Sequence, residues 1–301
     1  MIEAIALTKK FDEKIALNAL NLNIDKGSIY GLVGTNGGGK STFMNLATGV
    51  YNPDRGQILI DGKSVFGNME IKKKIFFIPD DAFYFQNYTI EAMANFYKGL
   101  YYDTWSDDLF EKLIKSLPLD KNQKMKSCSK GMLKQAFLIL ALSCRPEYLF
   151  LDEVFDGLDA VIRVAIRKII ADEVLNRNMT VVIASHNLRE LEDFCDTVGL
   201  IHSGKLVLKQ SLDEISLSYS KAQVAFETIP DFSALKENPN ILSLEINGSF
   251  VTICAKMSER EIEELLKPYN SKMSQFVNLS LEEVFISEME AIGYDYNKII
   301  L

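Results

Sequence analysis

Histidine is nearly missing from this chain of 301 residues: His186 and His202 are the only two, so chemistry that depends on imidazole has few candidates. Cysteine is also scarce. Cys128, Cys144, Cys195 and Cys254 are scattered without a C-x-x-C pair, which argues against a zinc site and fits reduced, packed thiols. No run of 18 or more apolar residues occurs, and the first residues lack a basic flank followed by an apolar signal region, so neither a membrane span nor secretion is expected. The expected location is the cytoplasm. Positive charge is in deficit, with 33 Lys and Arg against 41 Asp and Glu and a net charge of −8, so no nucleic-acid partner is expected. The short Lys72-Lys73-Lys74 run fits a solvated helix end. With 48% hydrophobic and 25% charged residues, the composition is that of a globular protein long enough for one large domain and a smaller one.

The most informative stretch that is present is Gly34-Thr35-Asn36-Gly37-Gly38-Gly39-Lys40-Ser41-Thr42, directly after the apolar run Ile29-Tyr30-Gly31-Leu32-Val33. Gly34, Gly39, Lys40 and Ser41 fit G-x-x-x-x-G-K-[ST], in which glycines let successive backbone N–H groups converge on nucleotide phosphates. Lys40 would reach the β- and γ-phosphates, and the Ser41 hydroxyl would ligate Mg²⁺. The bland alternative is a Gly-rich turn.

Apolar or alternating segments near residues 2–7, 21–25, 29–33, 57–61, 75–79, 148–152, 180–184, 197–201 and 205–209 are expected to be strands. Those at 29–33, 148–152 and 180–184 are near-continuously apolar and each precedes a helical pattern, as in a parallel sheet covered on both faces. From about 84 to 145 the pattern is helical, with apolar spacing through Phe110, Leu113, Ile114 and Leu117, which suggests an inserted helical subdomain. Its aromatic residues from Phe83 to Trp105 suit packing or a partner surface. After about 212 the alternation stops. Strands near 222–227, 241–246 and 249–255, with Asn247-Gly248 as a hairpin turn, and helices near 258–267 and 281–289 make a separate α+β unit. The expected domains are 1–212 and 213–301.

Two further motifs narrow the chemistry. Tyr148-Leu149-Phe150-Leu151-Asp152-Glu153 is an apolar strand ending in two carboxylates, one suited to hold Mg²⁺ (Asp152) and one to polarise the attacking water (Glu153). A strand that merely ends in solvated acids is the alternative. Upstream, Ser127-Cys128-Ser129-Lys130-Gly131-Met132 leads an apolar helix, so Ser129 and the Gly131 backbone form either an anion site or a simple cap.

At these residues the chain resembles the ATP-binding cassette (ABC) family, specifically the nucleotide-binding subunits of ABC transporters. The resemblance covers about residues 1–210 and rests on five pieces in the family's order: Gly34 to Thr42, the signature Ser129-Lys130-Gly131-Met132, Leu149 to Glu153, Gly157-Leu158-Asp159, and Ala184-Ser185-His186. It implies an α/β fold with a P-loop NTPase core, the inserted helical subdomain, and a small C-terminal α+β domain. It also implies that Phe11 stacks on adenine, where the family more often has Tyr, unless Phe11 belongs to the core. Asp159 resembles the residue that crosses the dimer interface, and His186 the switch histidine at the γ-phosphate. Where the family commonly has Gln, this chain has Asp80 in Ile78-Pro79-Asp80-Asp81, so the usual metal and coupling contact passes to Asp80 or is lost. Cys128 and Met132 replace the commonest signature residues, while the Ser and Gly remain.

The resemblance implies an ATP-hydrolysing subunit that uses ATP and Mg²⁺. Two such subunits, alike or different, would hold each ATP between the phosphate loop of one and the signature of the other. A separate permease would dock near Asp80 to Tyr102 and hold the protein at the inner face of the cell membrane. Tyr101 to Leu117 and Lys126 to Met132 resemble a bacterial subgroup of ABC-2 type exporters. That subgroup includes ATPases linked to antimicrobial-peptide immunity, acetoin utilisation and phenol-soluble-modulin export. Ser280 to Phe285 resembles the closing helix of ABC-2 ATPases whose C-terminal extension aids dimerisation or regulation. The alternatives are an ATP-binding regulatory subunit with weak hydrolysis in a heteromeric transporter, and a non-transport ABC ATPase.

Overall fold

Strands that are apolar at nearly every position bury both faces, and three such strands build the centre of this fold. The computed structural model describes residues 1–291. By contact they divide into two units: Met1–Asn187 with Phe194–Val207, and Leu188–Asp193 with the chain from Leu208 onward. Residues 292–301 of the C-terminal domain expected at 213–301 lie outside the described residues.

The first unit begins with long antiparallel strands β1 (Ile2–Phe11) and β2 (Lys14–Ile24). It continues through β3 (Ile29–Gly34), α1 (Lys40–Ala47), β4 (Arg55–Ile60), β5 (Lys63–Ser64), α2 (Met69–Lys72) and β6 (Ile75–Ile78). Three helices follow, α3 (Ile90–Leu100), α4 (Asp107–Ser116) and α5 (Lys130–Ser143). Then come β7 (Tyr148–Asp152), α6 (Ala160–Arg177), β8 (Thr180–Ala184), α7 (Leu188–Glu192), β9 (Thr197–His202) and β10 (Lys205–Ser211). The contact division assigns α7 to the second unit and falls within β10.

Two sheets form. One has the order β2-β1-β4-β5 and is antiparallel. The other has the order β10-β9-β3-β8-β7-β6, with parallel pairing from β9 to β6. Every residue of β3, β7 and β8 is buried. Because these three strands are adjacent and parallel, the loops after Gly34, Asp152 and Ala184 all leave the same sheet edge. Ligands of open α/β sheets bind at that edge.

The segment expected to be helical from about 84 to 145 holds α3, α4 and α5, each started by a hydroxyl cap. Thr89 accepts from the Ala92 amide at 3.1 Å, Ser106 from Leu109 at 3.2 Å, and Ser129 from Met132 at 3.2 Å. Phe110, Leu113 and Ile114 form the buried stripe of α4, and α5 is buried continuously from Lys134 to Ser143. The aromatic residues divide. Tyr97 and Tyr101 pack on Phe76, with the Tyr101 hydroxyl donating to Ile75 O at 2.6 Å, whereas Phe83, Phe85, Tyr88, Phe96 and Tyr102 are exposed.

The second unit contains α8 (Leu212–Ser218), β11 (Ser220–Ala225), α9 (Ser233–Lys236), β12 (Ile241–Asn247), β13 (Phe250–Ala255), α10 (Glu259–Leu266), β14 (Met273–Asn278) and α11 (Leu281–Ala291). Its antiparallel sheet has the order β12-β13-β11-β14. Val224, Val251 and Ile253 of the sheet share a core with Ile262 and Leu266 of α10. The pairing of Asn247 with Phe250 makes Gly248 and Ser249 the hairpin loop, one residue later than the Asn247-Gly248 turn read from sequence. Gly248, at φ 63°, takes the left-handed backbone that the first position of such a loop demands.

Candidate functional site

At the end of β3 the backbone turns through Gly37 and Gly39 into α1. Gly39 has φ 118°, and a Cβ there would meet Ala16 O at 2.9 Å and Leu17 Cδ2 at 2.7 Å, so both conformation and space demand glycine. The turn leaves the first amides of α1 without side-chain capping, facing a cleft of about 370 Å³. Thr35, Asn36, Gly37, Gly39, Lys40, Ser41 and Thr42 line this cleft; Gly38 packs on Thr35 O behind it, with Gly34 closing β3.

Lys40 is 7% exposed, and its ammonium curls back to donate to Gly34 O at 2.7 Å and Thr35 O at 3.3 Å. Burial lowers its pKa below the ordinary value, against the opposing pull of Glu153 and Asp152. A desolvated cation that leans on loop carbonyls is primed to exchange them for an anion.

Asp152 and Glu153, at the end of β7, form the opposite wall with Asp80. Burial pushes the Asp152 carboxyl above its usual range, the Ser41 hydroxyl bonds to it and opposes that rise, and Glu153 and Asp80 add to it. Its Oδ1 is buried with no hydrogen-bond partner. An orphaned carboxylate oxygen beside a hydroxyl is the oxygen donor set of a hard divalent cation, so these residues fit Mg²⁺.

Glu153 is a non-glycine residue at φ 51°. Four neighbours hold it: its N–H donates to Ala184 O at 2.9 Å, its Oε2 lies 2.9 Å from His186 Nδ1, and its carbonyl accepts from the Lys134 ammonium and, at 3.4 Å, from the Asp156 N–H. Left-handed backbone costs a non-glycine residue roughly 1–3 kcal/mol and clusters at functional sites. His186 is 59% exposed at the side chain, with Asp156 3.9 Å from the same nitrogen.

The signature residues lie elsewhere on the first unit. Ser129, Lys130, Gly131 and Met132 open α5, and none of them lines the cleft. A Cβ on Gly131 would meet Gly157 O at 2.6 Å, so the signature packs on the segment that leads to Asp159. Asp159 caps α6, accepting from Val161 and Ile162 at 3.1 and 3.0 Å. Phe11 is 41% exposed at the cleft mouth, edge-on to Tyr51 with centroids 5.4 Å apart, and is no core residue. Asp80 pairs with Lys130 at 3.4 Å and Lys134 at 3.3 Å.

Two charged residues, one in the cleft and one behind it, went unrecognised in the sequence. Lys14 lines the cleft from the start of β2, where no motif marks it. Lys134 had a readable signal, as a lysine among apolar residues of a helix that is buried from there on.

Residues 17–156 match the family model described as ABC transporter. Over 291 residues, 96% of this chain and 98% of the relative, the sequence is 32% identical to the ABC transporter ATP-binding protein YtrB of Bacillus subtilis (strain 168). It is 33% identical over 219 residues, 71% of each protein, to the bacitracin transport ATP-binding protein BcrA of Bacillus licheniformis. Among solved structures, a dimeric post-hydrolysis state of the ATP-binding cassette MJ0796 bound to ADP and Pi superimposes with a TM-score of 0.64 at 22% identity, over 70% of this chain and 99% of that one.

Proposed function

This chain belongs to the ABC transporter family of ATPases as an ATP-binding subunit, and we propose that it hydrolyses ATP at sites shared between two subunits to drive a separate export permease. The observation that carries this reading is a division of labour. Lys40, Ser41, Asp152 and Glu153 converge on one cleft, whereas Ser129 and Gly131, the other groups suited to phosphate, do not line it. A second subunit, facing the first head to tail, supplies the missing half.

Within each site the backbone amides from Asn36 to Lys40 and the start of α1 hold the phosphates, and Lys40 leaves its loop carbonyls for the β- and γ-phosphate oxygens. Thr42 and Ser41 follow at the first turn, and Phe11 stacks on adenine. Ser41 and Asp152 would hold Mg²⁺, which when bound neutralises charge on the phosphates. Glu153 orients the attacking water and draws on its proton, and His186 holds the Glu153 carboxylate in place. From the partner come Ser129 and the amides of Lys130 and Gly131, the Met132 amide being held by the Ser129 hydroxyl, with Asp159 at the shared interface. The relative named for bacitracin transport supports export, of a peptide, antimicrobial or drug. The exposed aromatic residues around Phe85 suit the permease contact, and the unit from Leu208 onward suits dimerisation or regulation.

Glu153→Gln tests the assignment. It is expected to leave ATP affinity unchanged, cut turnover by about 100-fold or more, and accumulate an ATP-bound dimer in light scattering. Wild-type hydrolysis by this variant would overturn it.

A further inference from the structure

A buried lysine that touches no expected ligand stands behind the catalytic wall. The Lys134 side chain is 6% exposed, and its ammonium reaches two acceptors: the Glu153 carbonyl and Asp80 Oδ1, the latter at 3.3 Å. A cation so far from water requires a compensating charge, which Asp80 supplies from a side chain that is itself 51% exposed. Asp80 lines the nucleotide cleft together with Glu153, so the ammonium bridges two parts of one wall. Glu153 needs such a bridge because its backbone is left-handed. The Ala184 carbonyl fixes its N–H and His186 meets its carboxylate, while its own carbonyl accepts from the Lys134 ammonium and, at the longer distance of 3.4 Å, from the Asp156 N–H, so Lys134 is the side chain that holds the peptide that follows.

We propose that Lys134 and Asp80 act as a matched pair that positions Glu153, the lysine holding the glutamate's backbone and the aspartate holding the lysine. In this chain the residue at position 80 is acidic because its partner on α5 is a buried lysine. Lys134 is a positioning residue: it touches the backbone of the catalytic residue and lines no part of the cleft. This inference rests on Glu153 being the catalytic carboxylate. Displacing that carboxylate by about 1 Å is expected to cost roughly 10–100-fold in kcat while leaving the groups that grip ATP untouched.

The experiment measures steady-state ATP hydrolysis by the full chain with Lys134→Met, Asp80→Asn, both together, and Glu153→Gln as reference. Lys134→Met is expected to lower kcat about 10–100-fold with the KM for ATP within about twofold. The double variant is expected to lose no more than the worse single one, because Lys134→Met removes a link that Asp80→Asn already breaks together with its pair to Lys130. A Lys134→Met kcat within about twofold of wild type, or losses that multiply in the double variant, would overturn the proposal. If Lys134→Met does not fold, as judged by its melting curve, Lys134→Gln, which keeps a donor but no charge, is read beside Asp80→Asn: a kcat loss at constant KM in both supports the pair, and wild-type kcat in either refutes it. A dead Glu153→Gln beside a fully active Lys134→Met removes only the pair; an active Glu153→Gln removes the catalytic assignment itself.

Discussion

Phe11 shows what a single side chain contributes and how far sequence could place it. Its ring lies at the mouth of the cleft, 41% exposed, where it is available to a base and contributes little to the core. Aromatic stacking on a base is worth about 1–3 kcal/mol, so Phe11→Ala is expected to weaken ATP binding about tenfold with no change in melting temperature. Phe11→Tyr is expected to bind as wild type; equal affinity in all three, by calorimetry, would remove the stacking role. The phosphate loop and the Asp152-Glu153 pair were legible because both sit beside apolar strands that periodicity identifies. Lys134 stood out only as a lysine in an apolar helix; its role was not legible, because it depends on Asp80, 54 positions away in sequence on another element, and on a carbonyl that carries no residue identity.

At the scale of elements, what made a segment legible was a buried face. α4 and α5 bury one stripe and nearly a whole surface respectively, and their spacing marks them. β14 escaped notice because five of its six residues are exposed and none is fully buried, so no alternation exists to read; pairing with β11 creates it. α11 depends on a local device. Ser280 and Glu283 form a reciprocal cap at 2.9 and 3.3 Å, and Glu283 also accepts from Lys221 at 2.7 Å. Burial pushes the Glu283 carboxyl up, but Lys221 and the Ser280 amide and hydroxyl outweigh it and hold the pKa below the usual carboxylate range. A depressed carboxylate stabilises the fold above the unfolded pKa and loses that contribution as pH falls through the folded one. Glu283→Gln is therefore expected to cost about 1 kcal/mol at neutral pH, limited by solvent screening, and less at an acid pH below the ordinary carboxylate range. Urea unfolding at the two pH values reads the difference, and a gap undiminished in acid would contradict the electrostatic origin.

For the whole molecule, the parallel strands gather the phosphate loop, Asp152 and Glu153 around one cleft at a single sheet edge, while the signature opens α5 outside that cleft. Among the described residues no helix is long and apolar enough to cross a membrane. A shared site requires that two copies complete one another, and mixing two inactive variants asks this directly. Lys40→Ala removes the phosphate grip, Ser129→Arg blocks the partner's site, and each alone is expected to be inactive. Mixed dimers carry one fully intact site, so an equimolar mixture is expected to recover up to about a quarter of wild-type hydrolysis. Full activity of Ser129→Arg alone, or a mixture as inactive as its parts although mixed dimers form, would contradict the shared site.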